Sequence, residues 1–312
     1  FYLNSHKKKD IWSLGSSRVL QFRENMFTDT FYNAGYTISS LNDFLPFLKS
    51  IDKSKYPNYM IIGIDQWMFN SSYDDLNVIK TEELWSNSFS FYPKVSTFFS
   101  VYRDLYNGKY NFENFKSVSS ITRVGLNAYV NGKGFVSDGS MNYGNELDKL
   151  IEVDPSLVDY EYANTYDRIE SGNDRFEYGD AVNSQALLVL DDLLTFLKKN
   201  DVRVAAFLPP FADKVYDKMN KSGNYGYLAN IYESIKPIFD KHGYEIYDFS
   251  TVSFCGSSDQ ETLDGFHGGD VTYQRLLINM LENGSVLNEV TNIDKLKVDL
   301  DNIKNYYQVY EY

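Results

Sequence analysis

Histidine and cysteine are scarce in this chain, whose 312 residues include three histidines and one cysteine. The single cysteine, Cys255, excludes an intramolecular disulfide, and no Cys/His cluster offers the ligands of a structural zinc site. We therefore expect neither a metal nor a cofactor. Because imidazole is the side chain that most often acts as a base near neutral pH, the search for acid–base chemistry narrows to three positions.

An excess of positive charge is also missing. The sequence has 30 Lys and Arg residues against 43 Asp and Glu residues, a formal net charge of −13. A polyanion would be repelled over most of such a surface, so nucleic acid is not an expected partner. Hydrophobic residues make up 43% of the sequence and aromatic residues 17%, which is enough for a large core and excludes a disordered chain.

No hydrophobic run approaches the roughly 18 to 20 residues that a membrane-spanning helix needs. The chain starts at Phe1 rather than at a methionine, and the basic residues Lys7, Lys8 and Lys9 follow closely. Such a start is typical of a protein cut just after an apolar segment, for example a signal anchor, and an arbitrary domain boundary would produce the same start. Both origins stay open at this point.

Short strand-like runs alternate with segments of helical periodicity. Apolar residues such as Leu41, Phe44 and Leu48 fall on one helical face between two of the runs. This alternation predicts an α/β fold: a doubly wound, mostly parallel five-stranded sheet flanked by helices, in one domain over residues 1–312. The predicted strands are Ile11–Leu14, Thr30–Gly35, Tyr59–Asp65, Val202–Leu208 and Tyr244–Asp248.

Two regions depart from this alternation. Regularity weakens over residues 71–183, which we interpret as an inserted lid or subdomain, with Asp138-Gly139-Ser140 as a turn between extended segments. A last amphipathic pattern predicts a C-terminal helix over residues 290–311. The helix before it is expected to begin with Asp270 as its N-cap.

One of the three histidines stands in a setting suited to catalysis. His6 lies among basic residues, and His242 precedes a glycine that ends a predicted helix. His267 instead ends the sequence Asp264-Gly265-Phe266-His267, in which a carboxylate three residues earlier can orient the imidazole as a general base. The alternative is an aspartate that caps a turn carrying a solvent-facing histidine.

Ser17 is the best candidate for a nucleophilic hydroxyl that acts with Asp264 and His267. It follows the first strand in Gly15-Ser16-Ser17-Arg18, at the carboxyl edge where open α/β sheets bind their ligands. A serine after a strand can also be a helix N-cap. The combination favours catalysis, because the serine ends the first strand while the Asp/His pair precedes the last helix of the same sheet domain.

Four sequence blocks resemble those of the SGNH, or GDSL-type, hydrolase superfamily, over roughly residues 10–70 and 185–285. Gly15-Ser16-Ser17 stands where the superfamily has Gly-Asp-Ser, and Gly35 stands at its second-block glycine. Gly63-Ile64-Asp65-Gln66 corresponds to Gly-x-Asn-Asp, and Asp264–His267 to Asp-x-x-His. The Gly-Ser-Ser variant is similar to the membrane-anchored, extracytoplasmic branch that includes the teichoic-acid D-alanylation protein and alginate-type O-acetylation proteins.

The resemblance implies a role for each member of the triad. Ser17 would be the nucleophile, His267 its base and later its acid, and Asp264 the residue that orients the imidazole. The backbone amides of Ser17 and Gly35 would stabilise the oxyanion. Ser16 is the less favoured nucleophile, because the superfamily places the hydroxyl two residues after the glycine.

The third oxyanion donor is where this chain departs from the superfamily. Asp65 replaces the third-block asparagine, and an ionised carboxylate cannot donate a hydrogen bond. Either Asn33 or Gln66 supplies the donor, or the site has only two amides. Arg18 is either a substrate contact or, as we prefer, the partner of Asp65 in an ion pair.

These residues imply serine-dependent acyl transfer or ester hydrolysis. The resemblance to the extracytoplasmic branch implies that the substrate is an acetyl or D-alanyl ester of a cell-surface glycopolymer and that the protein is extracytoplasmic, tethered by an N-terminal membrane anchor. The rival hypothesis is a non-catalytic SGNH-fold scaffold that serves a membrane-bound O-acyltransferase, a reading that the aspartate at position 65 encourages. A cytoplasmic lipase-like esterase is disfavoured by the start of the chain and by charged residues at the predicted pocket.

Overall fold

A computed structural model describes residues 2–73, 76, 91–108, 128 and 131–311. The described strands are β1 (Ile11–Leu14), β2 (Phe31–Ala34), β3 (Tyr59–Gly63), β4 (Lys133–Phe135), β5 (Met141–Tyr143), β6 (Arg203–Leu208) and β7 (Glu245–Asp248). Five of them form a central parallel sheet in the order β2-β1-β3-β6-β7, and β4 and β5 form a separate antiparallel pair.

The predicted doubly wound α/β fold is confirmed. The chain runs outward from β1 to one edge strand, β2, and then crosses back to β3 and on to β7. Reversal of the strand order beside β1 creates the crevice at the carboxyl ends of the strands where doubly wound folds bind ligands. Ser17, which follows β1, therefore lies at the topological switch point.

Helices cover both faces of the sheet, because side chains along a strand alternate between the faces. Trp12, Leu14 and Ile62 pack with the helices Leu41–Lys49, Ser184–Lys199 and Leu228–His242. Ile11 and Ile61 pack on the other face with Asp270–Glu282 and Ile293–Asp301. The remaining described helices are Tyr2–Ser5, Phe91–Tyr106, Asn145–Ile151, Ala163–Ser171 and Asp213–Ser222.

Three glycines at the ends of β1, β2 and β3 surround one buried valine, Val19. A Cβ on Gly15 or on Gly35 would lie within 2.9 Å of a Val19 methyl carbon, and a Cβ on Gly63 would overlap the same side chain. The glycines allow the turn that carries Ser17 to sit directly against the neighbouring strand ends. Close approach therefore accounts for glycine at these three positions.

The predicted insertion contains one well-defined hairpin. β4 and β5 pair on either side of Asp138-Gly139-Ser140, and Gly139 has φ +83°, so the predicted turn is confirmed. Arg23 donates to Ser140 Oγ at 2.7 Å and ties this hairpin to the core. Residues 77–90 and 109–127 of the predicted lid lie outside the described residues.

Two boundary predictions near the C-terminus were wrong. The last helix spans Ile293–Asp301 rather than extending over 290–311. The chain after it returns to the core, where the Val309 amide donates to Asp270 at 2.7 Å. Gly269, not Asp270, is the N-cap of the helix Asp270–Glu282, because the Asp270 carboxylate is buried against Arg23.

Within the described part of the chain, no helix combines the length and the apolar character needed to cross a membrane.

Candidate active site

Ser17 begins a single 3₁₀ turn, Ser17–Val19, immediately after β1. The N-cap of this turn is Ser16, whose hydroxyl accepts a hydrogen bond from the Arg18 amide at 3.2 Å. The capping role that could have explained a serine here thus belongs to Ser16. The hydroxyl of Ser17 instead points toward a cleft that it helps to line.

Ser17, His267 and Asp264 form one hydrogen-bonded chain. Ser17 Oγ lies 2.8 Å from His267 Nε2, although the two residues are 250 positions apart in sequence. His267 Nδ1 lies 2.7 Å from Asp264 Oδ2. An imidazole that donates from Nδ1 to the carboxylate leaves Nε2 free to accept the serine proton, which is the tautomer that nucleophilic catalysis needs.

Asp264 is held in its ionised form. Its Oδ1 accepts hydrogen bonds from the amides of Phe266 and His267, at 2.9 and 2.8 Å. Burial by itself would raise the pKa of this carboxyl, but the His267 ring and the two amides outweigh it, so the pKa lies below its usual value. The carboxylate therefore orients the imidazole throughout the neutral pH range.

Arg18 is completely buried and joins the triad loops to the sheet. Its guanidinium lies 3.4 Å from Asp65 Oδ1 and donates to Gln66 Oε1 at 2.9 Å, so the predicted ion pair is present. The same group donates to the carbonyl oxygens of Phe266 and Pro209, at 2.9 and 2.7 Å. With no surface exposed, Arg18 cannot contact a substrate in this conformation.

The expected oxyanion donors after β2 are already engaged. The Gly35 amide donates to Asn33 Oδ1 at 2.8 Å. Asn33 Nδ2 donates in turn to the carbonyl oxygens of Val19 and Phe22, at 2.8 and 3.0 Å. This corrects the assignment of Gly35 and Asn33: the Gly35 amide holds the Asn33 side chain, and Asn33 Nδ2 stabilises the turn that carries Ser17.

The third-block residues are buried as well. Gln66 Nε2 donates to the Pro209 carbonyl oxygen at 2.8 Å and is not directed at the Ser17 hydroxyl. Asp65 has no exposed surface, and burial raises its pKa while Arg18 acts in the opposite direction. Both are buried structural residues here. The Ser17 amide has no acceptor among the described residues and is the one predicted donor that remains available.

The triad opens into a cleft of about 640 Å³ that the insertion closes on one side. Its walls carry two arginines that the sequence reasoning missed, Arg168 and Arg175. They belong to the irregular segment, where no periodic pattern indicates which side chains face the sheet. The sequence signal that could have indicated them is two nearby arginines in a chain with an excess of acidic residues.

Comparison with known proteins adds no relative: no family model matches this chain, and neither does any curated protein. The SGNH resemblance therefore stays a prediction based on four sequence blocks. The geometry of the cleft is independent of it.

Proposed function

We propose that this protein is a serine-dependent acyltransferase or esterase that acts on O-acyl groups of a cell-surface glycopolymer. The observation that carries the proposal is the continuous hydrogen-bonded chain from Ser17 through His267 to Asp264, which ends at an open cleft. A hydroxyl, an imidazole and an ionised carboxylate in this order are the parts that acyl transfer requires.

In the first half-reaction, Ser17 Oγ attacks the carbonyl carbon of the ester while His267 Nε2 takes the hydroxyl proton. The tetrahedral intermediate places negative charge on the carbonyl oxygen, where the Ser17 amide can donate. When the bond to the leaving alcohol breaks, His267 returns the proton to that alcohol. The acyl group then remains on Ser17 as an ester.

In the second half-reaction, the acceptor hydroxyl attacks the acyl-enzyme and His267 takes its proton. Water as acceptor gives hydrolysis, and a sugar or polyol hydroxyl gives transfer. Because Gly35 and Asn33 direct their donors elsewhere, the oxyanion receives fewer hydrogen bonds than a full hole provides. Each missing donor costs about 10²–10³ in rate, so slow hydrolysis is expected.

The glycopolymer substrate and the extracytoplasmic, membrane-anchored setting come from the SGNH resemblance. The Gly-Ser-Ser block at Gly15 to Ser17 supports that branch over other serine hydrolases. A cleft of about 640 Å³ with polar and charged walls is large enough for more than one sugar unit.

The test is covalent labelling of the purified protein with an active-site serine probe, or acylation by p-nitrophenyl acetate, followed by mass spectrometry of peptides. Labelling is expected on Ser17 and is expected to disappear in Ser17→Ala and in His267→Ala. Ser16→Ala is the matched control and should keep most of the labelling. Loss of labelling in Ser16→Ala alone would contradict the assignment of the nucleophile.

A second candidate function is a non-catalytic scaffold for a membrane-bound O-acyltransferase. The engaged Gly35 amide favours it, because a fold that only binds a partner needs no oxyanion hole. The two functions separate in cells that carry Ser17→Ala. Normal polymer acylation in that strain would support the scaffold and contradict both enzymatic versions.

A further inference from the structure

Two guanidinium groups line the cleft beside the triad without a carboxylate partner. Arg168 and Arg175 border both the cleft of Ser17 and an adjoining hollow of about 470 Å³. Among the described residues, neither guanidinium forms an ion pair. Lys133, another cation at this cleft, lies 2.5 Å from the Glu146 carboxylate and is therefore neutralised.

Arg168 is placed close to the catalytic histidine by aromatic contacts. Its guanidinium lies 4.8 Å from the ring centre of Phe266 and 5.0 Å from that of Phe176. The Phe266 ring lies 4.3 Å from the imidazole of His267, so one ring separates the cation from the base. The Nε donor of Arg168 is buried and has no hydrogen-bond partner among the described residues.

Arg175 approaches from the same segment. Its guanidinium lies 5.0 Å from the Trp67 ring centre, and no acceptor among the described residues takes a hydrogen bond from it. A guanidinium stacked on an aromatic face keeps its N–H groups in a plane parallel to the ring, so the contact with the ring leaves them able to donate hydrogen bonds. The two arginines are also close enough that Arg175 lowers the pKa of Arg168, after the larger effect of burial.

Two carboxylates, Asp174 and Glu177, line the adjoining hollow and must be weighed against this charge. Asp159 and Asp264 line the cleft, and these two together with Asp174 act on the pKa of Arg168 in the opposite direction to burial. Asp174 accepts from Arg168 through its backbone carbonyl, not through its carboxylate. Glu177 accepts a hydrogen bond from the Arg175 backbone amide at 3.2 Å, and its second oxygen has no partner among the described residues. These carboxylates reduce the attraction for an anion, but among the described residues neither accepts a hydrogen bond from the guanidinium group of Arg168 or Arg175.

We propose that Arg168 and Arg175 form a subsite that binds an anionic group, a phosphate or a carboxylate, on the molecule whose ester reaches Ser17. Guanidinium groups bind both anions through paired N–H donors. Because the chain carries a net charge of −13, its overall field does not attract such a substrate, and local recognition is needed. The inference rests on the proposed function in one respect, namely that the bound molecule carries an ester that reaches Ser17.

The test measures binding to Ser17→Ala protein, which cannot be acylated. Glycerol 1-phosphate, glucuronate and glucose are titrated separately at equal ionic strength, by calorimetry or by ligand-detected NMR. At least one of the two anions is expected to bind about tenfold more tightly than glucose, because charge-assisted hydrogen bonds are roughly twice as strong as neutral ones. The anion that binds more tightly identifies phosphate or carboxylate as the recognised group.

Variants that remove one positive charge test whether Arg168 and Arg175 are responsible for the affinity for the anion. Arg168→Gln and Arg175→Gln, each combined with Ser17→Ala, should weaken anion binding about tenfold. Arg203→Gln is the matched control, because Arg203 is exposed at the opposite end of β6 and pairs with Glu289. Arg168→Lys, which keeps the charge, provides the test if Arg168→Gln fails to fold, and it should bind the anion with intermediate affinity.

Two results would overturn the subsite. One is equal affinity for glucose and for both anions, and the other is unchanged anion affinity in the Arg168 and Arg175 variants. Failure of the proposed function is distinguishable, because it appears as absent Ser17 labelling in the wild-type protein. Arginine-dependent anion binding without labelling would support the subsite and contradict acyl transfer.

Discussion

The Nε of Arg18 donates to the carbonyl oxygen of Phe266 at 2.9 Å. This bond joins the residue after the candidate nucleophile to the residue before the candidate base. Because the remaining donors of Arg18 reach Asp65, Gln66 and Pro209, one guanidinium ties the loops after β1, β3, β6 and β7 together. The distance between Ser17 and His267 is therefore fixed by a residue that touches no substrate.

Arg18→Lys is expected to lower both stability and Ser17 reactivity. A lysine ammonium cannot reach Phe266 and Pro209 together, and it leaves buried acceptors without donors. We expect the free energy of unfolding, from urea denaturation, to fall by about 2–4 kcal/mol. Ser17 labelling should slow in the fraction that remains folded.

Arg203→Lys is the control for this substitution, since the Arg203–Glu289 pair is exposed and lies at the far end of the sheet. It should change the free energy of unfolding by about 0.5 kcal/mol or less. An Arg18→Lys protein as stable and as reactive as wild type would show that Arg18 does not position the triad.

Asp264→Asn should slow Ser17 labelling by roughly 10²–10⁴-fold, because an amide does not hold the imidazole in the required tautomer. The pKa of Asp264 lies below its usual value, so the carboxylate is ionised across pH 5.5–8.5 and its stabilising effect is lost only as pH falls through that lowered pKa. The rate difference between wild type and variant should therefore be present at pH 7–8, where the carboxylate is ionised. Equal labelling rates there would show that Asp264 does not orient the imidazole.

Gly63→Ala should destabilise the protein by roughly 1–3 kcal/mol through overlap with Val19. The same substitution in a Val19→Ala background should cost less, because the methyl groups that it meets are gone. A double-mutant cycle of urea unfolding is expected to give a coupling energy of about 1 kcal/mol or more. Additive effects would show that Val19 does not account for the glycine.

Much of the sheet could be predicted from the sequence. Strands that are buried on both faces are mainly apolar, and apart from Ser13 and Arg203 the runs at β1, β3 and β6 satisfy this condition at nearly the observed boundaries. Knowing that parallel strands share one carboxyl edge was enough to place Ser17 and His267 near each other. Their proximity follows from this shared edge.

Hydrogen-bond partners could not be predicted in the same way. Asn33 was one of two candidates for the third oxyanion donor, but its acceptors are the carbonyl oxygens of Val19 and Phe22 after β1, which carry no sequence signal. The last helix was predicted too long because Ile303 extends the apolar pattern, while the chain there turns back to Asp270. Arg168 and Arg175 are positioned at the cleft by contacts with aromatic rings from distant parts of the sequence, and these contacts could not be predicted.

Cys255 should be almost unreactive in the folded protein. Burial raises the pKa of its thiol to about 12, so the thiolate fraction at pH 8 is roughly 10³-fold below that of a free thiol. Reaction with Ellman's reagent should be slow in buffer and complete after denaturation in guanidinium chloride. An exposed thiol introduced by Lys199→Cys is the control and should react at once, and rapid reaction of the native Cys255 would contradict its burial.

The 250 positions between Ser17 and His267 also determine when the site comes into existence. Ser17 leaves the ribosome early, on a strand that ends up inside the sheet, whereas its base follows the last strand. A chain that still lacks the loop after β7 carries the hydroxyl without the imidazole. During synthesis the serine is therefore no better a nucleophile than any other, and ester chemistry begins only when the final third of the chain has docked.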